Sequence, residues 1–196
     1  MYSKKMKKKG NNSQIAVFID RDGTINEEMG YINHVSRLHL LPYAGEAIRR
    51  FNRAGIKVII VSNQSGVARG IVPRKLVDKL NAKIKTLIKK SHAKIDGVLM
   101  CFHGTSENCN CRKPKPGMLL EAEKKFGLNL RKCYTLGDKY IDVKLGHNVG
   151  AKGVLVLTGY GPGELLYDSH KWEKKPDFIA KTLRHAAGWI IRDSQK

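Results

Sequence analysis

The pentapeptide DRDGT places Asp20 and Asp22 two positions apart around Arg21, just ahead of Gly23 and Thr24. Two carboxylates at i and i+2 of a strand end can face one small volume. Gly23 permits a turn that bares backbone N–H groups to an oxyanion. Taken alone, the pentapeptide would serve equally as a strand ending in polar capping residues. Further along, Ser62 offers a hydroxyl, and the turn SNQSG, with Asn63, Gln64 and Ser65, offers donors suited to phosphoryl oxygens. Lys113 could neutralise a transferring phosphoryl group, and Asp138 in GDKYID adds a third carboxylate. Asp20, Asp22 and Asp138 repel one another unless a hard cation lies among them. Oxygen ligands completed by water suit Mg²⁺.

A second constellation lies in CFHGTSENCNCRKPKPG, residues 101–117. Cys101 and His103 form one i, i+2 pair and Cys109 and Cys111 another, a Cys₃His set with the compact spacing of a zinc site. Four protein ligands leave Zn²⁺ no open position, so the expected site is structural. Cys111 is followed at once by Arg112 and Lys113, and closing the loop on zinc would fix how both cations enter the active centre. The fourth cysteine, Cys133, is flanked by apolar residues and reads as a buried thiol. This usage fits a reducing cytoplasm, the expected location.

These residues need a scaffold that delivers them to one place. IAVFID (15–20), KVIIVSN (57–63), GVLMCFH (97–103), CYTLGD (133–138) and GVLVLT (153–158) are short, nearly all-apolar runs, as in strands buried on both faces. Helical patterns alternate with them at 43–54, 73–91, 116–126 and 140–149, with a last one near 178–191. Gly55 and Gly127 fall where helix C-caps want a left-handed residue, and Pro73 and Pro116 suit first turns. The expected fold is α/β, a doubly wound parallel sheet, with ligands bound beyond the carboxyl ends of the strands. Asp20, Ser62–Asn63, Cys101–His103 and Asp138 stand at four of those ends, and the last strand adds no polar chemistry there.

The 196 residues suffice for one domain, expected at 14–196 behind a disordered basic tail, 1–13. That start has no apolar segment behind its lysines and does not read as a secretory signal, and no apolar run approaches the length of a membrane span. The net charge of +20 would suit nucleic acid, an acidic membrane surface or a phosphorylated substrate. Five of the lysines lie in the tail, and a cluster from Arg74 to Lys94 follows the spacing of a solvated helix face. Aromatic residues amount to 7%, with no basic-aromatic stacking platform, which argues against a nucleic-acid partner. The chain is expected to act as a monomer on a small molecule.

The order DxD, Ser, Lys, Gly-Asp resembles the haloacid-dehalogenase phosphatase superfamily and spans nearly the whole chain beyond the tail. The resemblance implies that Asp20 attacks phosphorus to form an aspartyl-phosphate. Asp22 then protonates the leaving oxygen and later activates water. By the same likeness Ser62 and Lys113 hold phosphoryl oxygens and Asp138 completes the Mg²⁺ site, while Asp142 orients the lysine or a metal-bound water, or is a plain helix-surface carboxylate. Capped members insert a lid after the first or second motif. Here 40 positions separate Asp22 from Ser62 and 51 separate Ser62 from Lys113, which leaves no room for one.

The lidless core, the zinc loop, DRDGTINEEMGYINH, SNQSGVARG, CRKPKPGM and LTGYG are similar to the heptose bisphosphate phosphatases of bacterial surface-polysaccharide synthesis. That likeness implies a sugar site lined by Glu28, Met29, Gly30 and Tyr31, with Arg112 reading the second phosphate and Lys139 nearby. The short His103–Cys109 segment and Phe102, where a proline is usual, depart toward the histidinol-phosphate phosphatases. An open basic mouth suits a sugar bisphosphate better than the cationic amine of histidinol phosphate. A polynucleotide phosphatase ranks third, and a non-enzymatic binding protein would not need Asp20 and Asp22 together.

Overall fold

Strands β1 (Ala16–Ile19), β2 (Lys57–Asn63), β3 (Gly97–Cys101), β4 (Tyr134–Gly137), β5 (Lys152–Val156) and β6 (Phe178–Ala180) pair in parallel in the order β3-β2-β1-β4-β5-β6. This computed structural model describes residues 14–196, and the expected basic tail lies outside the described residues. The central strands are apolar throughout because both faces are covered. Val17, Ile19, Val58 and Ile60 face one core, with α1 (Ala44–Arg53), α2 (Arg74–Lys90) and the C-terminal helix Leu183–Asp193. The alternate residues Ala16, Phe18, Ile59 and Val61 face the other, with α3 (Gly117–Phe126) and α4 (Tyr140–His147). Two opposite faces served by one period-2 alternation define a doubly wound sheet. Gly55 and Gly127 follow α1 and α3 with φ of 75° and 63°, the left-handed caps expected of them.

The last helical pattern needs correction. Phe178–Ala180 is a sixth strand paired with Val154–Val156, and the helix begins only at Leu183. Thr182 divides the two: its backbone is extended (φ −149°) and its hydroxyl accepts the His185 N–H as an N-cap. Strand order reverses at β1, flanked by β2 and β4, so a crevice opens beyond its carboxyl end, where Asp20 lies. Among the described residues, no helix is long and apolar enough to cross a membrane.

Candidate active site

Asp20 follows β1 directly, and its backbone N–H donates to Leu136 O of β4 at 2.8 Å. Lys113 arrives from the loop after β3 and is 4% exposed. Its ammonium donates to Asp142 Oδ1 at 2.5 Å, Asp20 Oδ1 at 2.8 Å and Val61 O at 3.3 Å, one acceptor for each hydrogen. Burial works against its charge, but Asp142 and Asp20 outweigh it and hold the lysine above its ordinary pKa. Asp142, in the first turn of α4, is buried at 1% exposure. It is no surface carboxylate, and its Oδ1 accepts from the Lys113 ammonium.

Asp138 is fully buried just past β4. Its Oδ2 accepts the Tyr160 N–H at 2.8 Å, while its Oδ1 and Asp142 Oδ2 are buried without a hydrogen-bond partner. Burial, then the nearby Asp20 charge, push the Asp138 carboxyl up to about 8, against the opposing pull of the Tyr160 N–H and Lys139. Oxygens of Asp20, Asp138 and Asp142 lie within 4.8 Å of one another. Three clustered carboxylates, two of them on the Lys113 ammonium, with two buried oxygens left without a hydrogen-bond partner, fit a hard divalent cation.

Glycines make this crowding possible. A Cβ on Gly23 or Gly159 would lie 2.1 Å from Asp138 Oδ2, and one on Gly137 would lie 2.0 Å from Asp142 Oδ2. The Tyr160 contact also corrects the expectation that the last predicted strand adds nothing. Beyond β5, Thr158 Oγ1 donates to Gly23 O at 2.6 Å and Tyr160 N–H to Asp138, so LTGYG braces the carboxylates.

The Asp22 carboxylate is not in that group. The i, i+2 rule fails because β1 ends at Ile19 and the chain turns, with Gly23 at φ 76° and Asp22 bridged to Asn26. Asp22 instead accepts from Arg21 Nη2 at 2.7 Å and Nε at 3.1 Å, Asn26 Nδ2 at 2.9 Å and Gln64 Nε2 at 2.9 Å. Burial would raise its pKa, yet the Arg21 charge and these donors together lower it, so the carboxylate rests as an anion.

Above these groups opens a cavity of about 370 Å³. Asp20, Asp22, Ser62 and Lys113 line it, together with Glu28, Gly30, Tyr31, Asn63, Gln64, Ser65, Arg112 and Lys139. Met29, expected among the sugar contacts, is outside the lining and exposed. Asn63 has its carboxamide engaged elsewhere: Oδ1 accepts the Lys113 N–H at 3.1 Å and Nδ2 donates to Lys113 O at 3.3 Å, clamping that peptide. Tyr31 is braced by Arg69 Nη1 at 3.1 Å. Lys139 sits over the Tyr160 ring at 3.8 Å, a cation held at the mouth. The lining also includes Arg21, Ile32, Gly66, Val72, Ile141 and Tyr160, none of them expected there. All but Val72 fall inside the motifs DRDGTINEEMGYINH, SNQSG, GDKYID and LTGYG, as neighbours of the residues singled out there.

Cys101, His103, Cys109 and Cys111 converge as expected. Cys101 Sγ lies 3.7 Å from Cys109 Sγ, 2.9 Å from Cys111 Sγ and 3.6 Å from His103 Nδ1. Cys111 Sγ lies 3.7 Å from Cys109 Sγ and 3.2 Å from His103 Nδ1. A tetrahedron with Zn–S of about 2.3 Å has S···S edges of about 3.8 Å. Both Cys109 edges match, and the Cys101–Cys111 edge would have to open. The donor set and its spacing fit zinc. Arg112 Nη1 donates to His103 O at 3.1 Å, tying the cluster to the cationic wall of the cavity. Cys133 stands apart and buried, its sulfur accepting the Ala16 N–H at 3.3 Å.

A family model described as "Polynucleotide kinase 3 phosphatase" matches residues 15–143, and one described as HAD-hydrolase-like matches residues 110–186. D-glycero-D-manno-heptose-1,7-bisphosphate 7-phosphatase of Thermosynechococcus vestitus is 36% identical, with 89% of this chain and 94% of that protein covered. D-glycero-beta-D-manno-heptose-1,7-bisphosphate 7-phosphatase of Helicobacter pylori is 33% identical over 89% of this chain and 96% of its own. The solved structure of D,D-heptose 1,7-bisphosphate phosphatase from B. bronchiseptica, complexed with magnesium and phosphate, superposes with a TM-score of 0.83. It is 26% identical and covers 91% of this chain and 98% of its own.

Proposed function

The chain belongs to the haloacid-dehalogenase-like phosphatases, and we propose that it removes the 7-phosphate of D-glycero-D-manno-heptose 1,7-bisphosphate in the supply of activated heptose for lipopolysaccharide. One observation carries the mechanism: the buried chain Asp142–Lys113–Asp20, with Asp138 beside it, at the floor of an open cavity. Lys113 occupies Asp20 Oδ1, which leaves the other carboxylate oxygen to attack phosphorus. The new O–P bond forms as the bond to the sugar oxygen breaks, giving an aspartyl-phosphate. Ser62 and Lys113 hold the phosphoryl oxygens, the lysine exchanging its long 3.3 Å contact with Val61 O for one of them. Asp22 delivers a proton to the leaving oxygen and later takes one from the attacking water. A dianionic phosphoryl group arriving beside Asp22 opposes the Arg21 field and favours the protonated form needed for the first step.

Asp20 and Asp138, with Asp142 adjoining, would hold Mg²⁺, which when bound neutralises charge on the phosphoryl oxygens. Cys101, His103, Cys109 and Cys111 would hold Zn²⁺ as a structural ion. Residues 14–196 act as one phosphatase unit, with Arg112 and Lys139 placed at the cavity wall to meet the second phosphate. The match to a polynucleotide phosphatase model favours a second reading, hydrolysis of a 3′-phosphate on DNA. A phosphate-release panel with the heptose bisphosphate, histidinol phosphate and a 3′-phosphorylated oligonucleotide decides between them. The proposal expects kcat/KM for the heptose substrate to exceed the others by at least about 100-fold, and the oligonucleotide as best substrate would overturn it.

A further inference from the structure

Gln64 lies one residue past β2, at the cavity, yet every polar atom of its side chain is engaged inside the protein. Nε2 donates both to Asp22 Oδ2 at 2.9 Å and to Ser62 Oγ at 3.0 Å, while Oε1 accepts from Arg21 Nη2 at 3.0 Å. Its backbone N–H is anchored to Cys101 O at 2.7 Å. The amide orientation is dictated by its neighbours. Turned over, it would set an NH₂ against the Arg21 guanidinium and a carbonyl against the Asp22 carboxylate, like against like at both ends. Ser62 Oγ accepts from Gln64, so the hydroxyl's own proton is left to point at an incoming phosphoryl oxygen. Gln64 therefore sets the direction of the hydroxyl and the position of the carboxylate together.

We infer that Gln64 is a positioning residue that aims Asp22 at the leaving oxygen and Ser62 at the phosphoryl oxygen, and touches the substrate with neither of its side-chain polar atoms. This rests on the reading of Asp22 as the acid that protonates the leaving group, and it replaces the expectation that Gln64 binds substrate. No other type does both jobs. Glutamate would set a second carboxylate against Asp22, asparagine is one methylene short, and methionine fills the volume without a donor or acceptor of comparable strength.

The test uses the purified full chain and two substrates that differ in their need for the acid. The heptose substrate leaves as an alkoxide and requires a proton, whereas 4-nitrophenyl phosphate releases a stable phenolate without one. For both, kcat/KM covers only the steps up to formation of the aspartyl-phosphate, so the later role of Asp22 as a base does not enter. Gln64→Met is expected to lower kcat/KM roughly 100-fold on the heptose bisphosphate, as for a misplacement of ~1 Å, and only about fivefold, the share of Ser62, on the aryl phosphate. The ratio of the two losses does not depend on how much of the variant is folded.

In an Asp22→Asn background, where no acid remains to be aimed, Gln64→Met should cost only that fivefold share on both substrates. Equal losses on the two substrates, or no loss, would overturn the inference while leaving the proposed mechanism intact. If Asp22→Asn itself failed to discriminate between the substrates, the acid role of Asp22 would fall and the inference with it.

Discussion

Gly159 is held at φ 50° between the acidic loop and the turn after β1. A Cβ there would lie 2.1 Å from Asp138 Oδ2 and 2.8 Å from Gly23 Cα, so backbone as well as side chain must move to admit it. For Gly159→Ala the left-handed backbone costs roughly 1–2 kcal/mol and the overpacking roughly 1–3 kcal/mol. At about 2–4 °C per kcal/mol for a chain of this size, the melting temperature should drop by about 4–20 °C. The more telling effect is local. Asp138 is the group forced aside, away from the Tyr160 N–H, so the Mg²⁺ concentration for half-maximal activity should rise at least about tenfold, or about 1.4 kcal/mol. Thermal melts in EDTA and a Mg²⁺ titration of phosphate release measure the two effects separately. Gly163→Ala is the control, since its Cβ meets nothing within 4 Å. A less stable Gly159→Ala protein with an unchanged Mg²⁺ requirement would refute the placing of Asp138 at the cation.

Asp20→Asn should abolish turnover because the nucleophile is lost, and should keep the fold because the amide oxygen can still accept from Lys113; turnover within tenfold of wild type would remove Asp20 from that role. Cys109→Ser should release zinc, lower thermal stability and reduce kcat by roughly 100-fold through a displaced Lys113, while leaving the Mg²⁺ requirement near normal. Metal analysis alongside kinetics checks this, and a zinc-free variant with full activity would count against it. The raised Asp138 also sets a pH dependence. Its carboxyl holds a proton up to about pH 8 in the folded metal-free protein, whereas in the unfolded chain it titrates at about 3.9. Stability in EDTA is therefore greatest below about pH 4 as far as this group is concerned, and it declines as pH rises toward 8. Saturating Mg²⁺ should flatten that decline, and melts showing the same slope with and without the ion would contradict the assignment.

The carboxyl ends of the first four strands were legible because each pairs an all-apolar run with an abrupt polar residue. That juxtaposition places Asp20, Ser62, Cys101 and Asp138 along one rim without knowledge of packing. What escaped detection depends on contacts between distant segments. The direction of Asp22 follows from where β1 stops and from Gly23, not from a two-residue spacing. Asn63 and Gln64 read as donors for a ligand, yet their amides find Lys113, Asp22, Ser62 and Arg21 first. Burial of Asp142 is invisible in an eight-residue helix whose other polar residues, Tyr140, Lys144 and His147, are only half-buried. Phe178–Ala180 is too short a run to declare itself a strand until β5 is there to pair with it.

Lys113 is constrained at both ends: Asn63 grips its peptide, and Asp142, Asp20 and Val61 take the three hydrogens of its ammonium. A lysine side chain free in water surrenders about 2 kcal/mol of rotational freedom when it is ordered. At about 1.4 kcal/mol for each factor of ten in rate, that is close to a 30-fold acceleration. Here the disorder is removed when the chain folds, so none is left for the transition state to remove. In the proposed reaction the lysine therefore acts as an immobile charge, with a share of the activation entropy close to zero.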